Sequence, residues 1–462
     1  GEIYSNTINL NQPTTASLGY GIWTSTGCSG TFNIYGNKFV TISIGGNESS
    51  GTLGQRAMSL GGSVTCNVYN NTFAGMNRLG TATGQVNQTY IFFGCTGNIY
   101  NNTFYMPALT SSTVPGYYRA ITLSSANPNI KNNIFISNED NLTNELIGSV
   151  TTGESDYNNF YLKAGNNKAR VVSTYATLAD YQAANPTKDA HSKSKDVNFV
   201  SATDLSLTGT SIDDMDLAAP AIDMVSTDIF GNPRYTPNVY MGAHEPNNLN
   251  DTQTFTVTVP NGTEHVYIAG SFIGKFWDIN NPFELTATAN ANEFGGTFPA
   301  HSNVEYKYLC ETGDWDYQEA VYEEGIPVQR TTNRTYVAND IVPIWYRVKS
   351  VTLNVSFEAS VGVPNQLFLM SSINDWKEAI ELTKQDSTFT TTLTNDNQKV
   401  PANTEYKYFT NEPFGQNWEC NLDMTPSSNR WTIAPVMNDE IQRFTTRLVT
   451  ETEVPALAPR LM

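Results

Sequence analysis

One short phrase recurs through the first part of the chain: IYSNTI from Ile3, IYGNKF from Ile34, VYNNTF from Val68, IYNNTF from Ile99, IKNNIF from Ile130 and SDYNNF from Ser155. The spacing is roughly 31 residues. A unit of that length with β-alternation and a fixed turn has no hydrophobic face it can bury alone, so successive units must stack on one another. The recurring asparagines, Asn6, Asn37, Asn71, Asn102, Asn133 and Asn158, suit left-handed turn geometry and can bond to their counterparts one coil away. A ladder is expected. Two positions on come Ile8, Phe39, Phe73, Phe104, Phe135 and Phe160, which that register stacks inside. The pattern resembles a right-handed parallel β-helix.

Residues 174–245 resemble the cap of a family of secreted Bacteroidetes β-helix proteins. The phrases that carry the likeness are YATLADYQAANPTKDAHS from Tyr175, APAIDM from Ala219 and DIFGNPRYTPNVYMGAHE from Asp228 to Glu245. The resemblance implies a short helix, a wrap of irregular chain and a final strand that end the stack. Met241 and His244 stand where that family usually has Ile and Tyr. The expected first domain is 1–247, and the likeness says little about chemistry.

After the polar linker PNNLND, from Pro246 to Asp251, a different repeat begins, with a period near 100 residues. Strands TFTVTV from Thr254 and VYIAGS from Val266 have counterparts in VTLNVSF from Val351 and QLFLMSS from Gln366. Their alternation predicts antiparallel sandwiches. Each copy then carries the same marks in order: a Trp in a turn (Trp277, Trp376), the phrase EYKY (Glu305–Tyr308, Glu405–Tyr408), a second Trp (Trp315, Trp418), and an Asn-Arg pair (Asn333–Arg334, Asn429–Arg430). This predicts two modules, 248–348 and 349–447, with a tail at 448–462. The fold class expected for the whole chain is all-β: a right-handed parallel β-helix followed by two Ig-like antiparallel β-sandwiches.

A pyranose offers an apolar face edged by hydroxyls, so a site for it wants exposed aromatic faces beside a few fixed donors and acceptors. Trp277 in KFWDINN and Trp376 in INDWKEA lie in polar, turn-like stretches, where core residues are rare. The settings GDWD and QNWE of Trp315 and Trp418 are equally polar. These marks resemble the starch-binding modules of the family-20 type and the glycogen-binding module of AMP-activated kinase. The resemblance implies α-1,4-glucan as ligand, bound by Trp277, Lys307, Trp315 and Asn333 in module one and by Trp376, Lys407, Trp418 and Asn429 in module two. Trp277 with Trp315 is expected to form one aromatic platform, and Trp376 with Trp418 a second. The module-one loop GDWDYQEAVYEEGIPVQRTTNR is longer than its kinase counterpart.

The remaining composition narrows the function classes. A formal charge of −18 repels phosphate backbones and anionic lipid, arguing against nucleic acid and suiting a neutral polysaccharide. The five cysteines, Cys28, Cys66, Cys95, Cys310 and Cys420, form no C-x-x-C pair and read as buried thiols. No apolar run reaches the length of a membrane span. The chain opens on Gly-Glu-Ile-Tyr-Ser-Asn, with no basic n-region or apolar h-region, so any export signal is expected to have been removed or to lie outside this chain.

Catalytic groups are sparse where a β-helix enzyme would need them. Glycoside hydrolysis usually requires two carboxylates, yet no Asp or Glu occurs between Ser49 and Asn138, and only Glu2 and Glu48 precede that stretch. Arg56, Arg78 and Arg119 read as exposed charges. Asp213 and Asp214 lie in the cap, and His191, His244, His265 and His301 are scattered singly, so neither a catalytic pair, a metal site nor a cofactor is expected. The reading is a monomeric, extracellular or cell-surface protein that captures α-glucan. The alternatives are a polysaccharide hydrolase or lyase with accessory modules, and an adhesin or stalk with sandwich spacers.

Overall fold

The protein is described by a computed structural model that covers residues 1–12, 19–44, 56–78, 88–108, 118–139, 144–151, 153–165, 168–411, 417–421 and 427–445. The proposed tail lies outside the described residues, as do Glu48 and the side chain of Arg78. The chain is mostly β and divides into two compact units, Gly1–Asp251 and Thr252–Met462.

In the first unit each repeat contributes one strand to each of two sheets. The residues before the asparagine phrase form one sheet, in the order Glu2–Tyr4, Ser29–Tyr35, Arg56–Tyr69, Gln88–Tyr100, Tyr118–Leu123, Asn144–Ile147 and Ala169–Val172. Those after it form the other, from Thr7–Gln12 through Lys38–Ile44, Thr72–Phe73, Thr103–Met106 and Ile134–Ser137 to Asn159–Leu162. Pairing in both sheets is parallel among the described residues, and it aligns each repeat with the next. Ile3 faces Ile34, Ile34 faces Val68, and Val68 faces Ile99.

The same register stacks the phenylalanines. Rings of Phe39, Phe73, Phe104, Phe135 and Phe160 lie 4.9, 4.6, 4.8 and 5.1 Å apart within 8° of parallel, and all five are fully buried. Beside them runs the asparagine ladder. Each side-chain amide donates to the carbonyl oxygen of the next: Asn6 to Asn37 at 2.9 Å, Asn37 to Asn71 and Asn71 to Asn102 at 3.0 Å, Asn102 to Asn133 at 3.1 Å, Asn133 to Asn158 at 3.0 Å. Such a column always leaves its last amide needing an acceptor. Here Asp189 supplies it at 2.9 Å, its carboxylate also receiving the hydroxyls of Ser155 and Ser192 at 2.6 Å. Burial pushes the Asp189 carboxyl upward against these bonds.

Two expectations need correction. The left-handed backbone belongs to the residue before each ladder asparagine: Ser5, Gly36, Asn70, Asn101, Asn132 and Tyr157, with φ between 50° and 65°. That residue turns the corner, which frees the following amide to point inward. Residues 174–245 also do more than close an end. Helix Leu178–Ala184, capped by Thr177, does bury Leu178 and Tyr181 in the core of the stack. Residues 218–245 instead run along its side, across successive corners. There Arg234 donates to Asn70 Oδ1 at 2.8 Å, Asn101 to the Tyr240 carbonyl at 3.2 Å, and Asn132 to the Pro220 carbonyl at 2.8 Å. Corner amides that face outward need partners, and this strap provides them, held by the buried Arg234–Glu245 ion pair at 2.7 Å.

The second unit repeats one topology twice. Thr252–Thr258 pairs antiparallel with Glu293–Pro299 and parallel with Asn339–Ile341, while Val266–Phe272 pairs antiparallel with Glu305–Leu309. A hundred residues on, Val351–Phe357 pairs antiparallel with Thr388–Leu393 and parallel with Val436–Ile441, while Phe368–Ser371 pairs antiparallel with Glu405–Thr410. One apolar cluster, from Phe255 through Trp345 to Phe444, runs through both copies. The copies are joined by pairing of Arg347–Val348 with Val400–Pro401.

Interior rungs of the ladder should matter more than its end. Asn102→Ala removes an acceptor for the buried amides of Asn71 and is expected to cost about 2–4 kcal/mol, whereas Asn6→Ala, at the exposed end, should cost under about 1 kcal/mol. Urea unfolding of the full-length variants checks the difference.

Candidate functional site

Each EYKY strand alternates, and the alternation sorts its residues by role. Tyr306, Tyr308, Tyr406 and Tyr408 point into the core and are fully buried, while Lys307 and Lys407 point to the other face. Beneath the tyrosines lies a polar network present in both copies. In module one Arg334 grips Glu319 through Nε at 2.9 Å and Nη2 at 2.6 Å, and reaches Asp340 at 2.6 Å. Asp340 also receives the hydroxyls of Tyr306 at 2.5 Å and Tyr308 at 3.0 Å.

Module two repeats this with Arg430 on Glu419 at 3.0 and 2.8 Å, Arg430 on Asp439 at 3.1 Å, and Tyr406 and Tyr408 on Asp439 at 2.8 and 2.9 Å. Burial opposes the charge on both arginines, but their carboxylate partners outweigh it and raise their pKa values. The tyrosine hydroxyls are pushed up by burial and by the adjacent aspartate. The arginines of the two Asn-Arg pairs are therefore structural. Glu319, Glu419, Asp340 and Asp439 are not among the residues expected from the sequence: their spacing from the flanking tryptophans differs between the copies, although Glu319 and Glu419 stand equally far from their EYKY phrases.

On the outer face the first tryptophans adopt an unusual backbone. Trp277 has φ 50° and Trp376 φ 61°, in the left-handed region where a bulky side chain costs on the order of 1–2 kcal/mol. Both amide groups are nonetheless fixed, Trp277 N donating to the Gly270 carbonyl at 2.7 Å and Trp376 N to the Ser371 carbonyl at 2.9 Å. All four candidate tryptophans are half-buried, and the tryptophan that plugs the core is Trp345, 1% exposed.

The structure brings the predicted residues together in each module. Trp315 lies 6.1 Å from Trp277, and the Lys307 ammonium sits 5.8 Å from the Trp315 ring. Lys307 donates to the Arg330 carbonyl at 2.7 Å, and burial pushes its pKa down. Asn333 donates to Glu305 at 2.9 Å. In module two Trp376, Lys407, Trp418 and Asn429 line one concavity of about 520 Å³ with Glu419 and Thr445. Lys407 donates to the Ser427 carbonyl at 2.7 Å, and Asn429 to Glu405 at 2.8 Å. In both copies, then, one lysine and one asparagine are pre-oriented by protein partners, the lysine beside an aromatic face in module one and both residues beside the tryptophans in module two.

Two details differ from expectation. The Trp277 and Trp315 rings are inclined at 54°, so they form an angled cleft instead of one flat platform. Nor are the second tryptophans equivalent. Trp418 lies on a strand, opposite Phe409 and directly before Glu419, a place that Gln318 occupies in module one opposite Leu309. Trp315 belongs to the short helical turn Trp315–Tyr317 that precedes it. Trp315 thus stands three positions earlier in the register than Trp418, yet its ring still reaches the lysine.

No protein-family model matches the chain. No curated protein matches it either. Among solved structures, the chain is similar to a family CBM26 module, CBMbc from Eubacterium rectale Amy13K, in complex with maltoheptaose. The identity is 9% and the TM-score 0.17, over 43% of this chain and 99% of that one.

Elsewhere the charged groups examined in the sequence find structural partners. Arg119 pairs with Glu145 of the next coil at 2.6 Å, so it does have an acidic partner, and Arg56 packs over Phe92 at 4.0 Å and is half-buried. Asp214 binds Lys195 at 2.5 Å, and Asp213 receives Asn247 at 2.8 Å. His191 bonds Asp156 at 2.7 Å, and His265 bonds Glu284 at 2.9 Å. Among the described residues no three His, Cys, Asp or Glu side chains group to hold a metal ion.

The clamp and the outer residues should separate on mutation. Glu319→Ala strands the Arg334 guanidinium in the interior and is expected to cost about 3–5 kcal/mol, whereas the neighbouring Asn333→Ala should cost under about 1.5 kcal/mol. Chemical denaturation of the two variants makes the comparison.

Proposed function

We propose that this chain is an extracellular or cell-surface carbohydrate-binding protein whose two sandwiches, modules 248–348 and 349–447, each bind α-glucan. In this reading the N-terminal unit is a right-handed parallel β-helix that carries or spaces the modules. The observation that carries it is the left-handed backbone at both Trp277 and Trp376, retained in two copies of one fold. Strain of this kind persists where the surroundings enforce it, and it gathers at functional sites. Here it turns a large aromatic face outward beside a fixed lysine and asparagine, an arrangement that suits the C–H face and hydroxyl rim of a pyranose. The aromatic faces and the overall negative charge favour an uncharged glycan over an anionic one.

The sites are shallow, so one module should bind maltooligosaccharides weakly, and a polymer that reaches both gains by making the second contact intramolecular. Trp376→Ala is expected to weaken module two by about 1–3 kcal/mol, with a larger effect on amylose than on maltotriose. Affinity electrophoresis in amylopectin gels tests the assignment. Wild type should be retarded and the Trp277→Ala/Trp376→Ala double variant should not. Undiminished retardation of the double variant rejects the sites, and an unretarded wild type rejects α-glucan.

The strain makes a separate prediction. Trp376→Gly relieves the left-handed penalty while removing the ring, so its stability should stay within about 1 kcal/mol of wild type even as module-two binding is lost. Thermal unfolding and isothermal titration with maltoheptaose measure the two effects.

A further inference from the structure

Trp315 is carried on a short helical turn where its counterpart Trp418 lies on a strand, and several of the groups that hold that turn come from the other module. Asp314 caps the turn Trp315–Tyr317, its carboxylate accepting from the Asp316 amide at 2.9 Å. The Lys399 ammonium, from module two, reaches the second Asp314 oxygen and also lies 2.9 Å from Asp316. The Tyr317 hydroxyl donates to the Gln398 carbonyl at 3.1 Å. The segment that supplies these contacts is itself braced, because Lys399 N donates to Asn395 Oδ1 at 2.7 Å and Asn395 Nδ2 to the Lys399 carbonyl at 2.9 Å. From module one's own loop, Gln329 donates to the Trp315 carbonyl at 3.0 Å.

We infer that Lys399 is a positioning residue for the module-one glycan site: it fixes the turn that holds Trp315 against Trp277, so that the first site is complete only when the second module is docked. The inference rests on the proposed function, and it deepens it by making the two sites parts of one receptor. An ammonium shared by two carboxylates restrains a turn more firmly than a single exposed pair. Lys399 holds the Asp314 carboxyl below the usual carboxylate range, so the carboxylate half of the contact persists at neutral pH and is lost as pH falls through that depressed value. Pre-setting the ring in its binding orientation removes an ordering cost from association.

The test uses the full chain with module two silenced by Trp376→Ala and Trp418→Ala. In that background Lys399→Met should weaken maltoheptaose binding by about three- to tenfold, Asp314→Asn should act similarly while keeping the cap acceptor, and Lys399→Arg should restore the parent affinity. A ligand-free arm reads the geometry directly. The close, inclined Trp277–Trp315 pair should give a coupled near-ultraviolet circular dichroism signal that Lys399→Met diminishes and Lys399→Arg keeps, with unfolding midpoints confirming that the variants are folded. Unchanged binding with an unchanged signal overturns the inference and leaves the glucan assignment standing. A background protein that binds nothing overturns the module-one site itself, and the spectroscopic arm then decides the role of Lys399: an unaltered signal refutes it.

Discussion

A guanidinium held between two buried carboxylates is the interaction on which each copy of the repeated β topology is organised. Arg334 and Arg430, each on a short strand paired with EYKY, bridge Glu319 to Asp340 and Glu419 to Asp439. Burying three charges is tolerable only when every oxygen and proton is answered, and the two tyrosine hydroxyls answer those left over on the aspartate. Because the tyrosines must point inward to do so, the residue between them must point outward. The clamp thus determines where Lys307 and Lys407 stand, and a core requirement fixes the position of a surface donor.

The same economy governs the first unit, where one register satisfies several columns at once. Setting each repeat a strand spacing from the last aligns phenylalanine on phenylalanine inside and tyrosine on tyrosine outside, as in the stacked rings of Tyr4, Tyr35 and Tyr69 at 5.1 and 4.9 Å. It also threads one amide column through the turn. The column must end, and its termination on Asp189 ties the irregular chain after the helix to the last coil. A slip of one residue would turn every column to the wrong face.

Much of this was legible because duplication exposes what a single copy hides. The asparagine and phenylalanine registers followed from counting, since stacked repeats place equivalent residues in contact. Four marks in the same order exposed the duplication, and their resemblance to starch-binding modules implied the grouping of Trp277, Trp315, Lys307 and Asn333 and of their module-two partners. Glu319 and Glu419 are hidden by the tryptophans and shown by EYKY. Glu319 follows Trp315 by four residues and Glu419 follows Trp418 by one, so a comparison anchored on the tryptophans misaligns the acids, whereas one anchored on EYKY aligns Glu319 with Glu419 and Gln318 with Trp418, as the strand pairing does. The path of residues 218–245 along the corners depends on contacts such as Arg234 with Asn70, more than 160 positions apart, which no local pattern encodes.

The sequence by itself determined the β character, the two repeat lengths and the sets of residues that share a face, because these depend on periods of two and on fixed spacing, both local properties of the chain. Only the tertiary structure decided which member of each motif works inside and which outside. It set Trp277 and Trp376 on left-handed backbone, inclined the module-one rings at 54°, and placed Lys399 of one module under the Trp315 turn of the other. Those outcomes depend on packing between segments distant in sequence, where the balance of burial, charge and strain is settled by the neighbours that folding supplies.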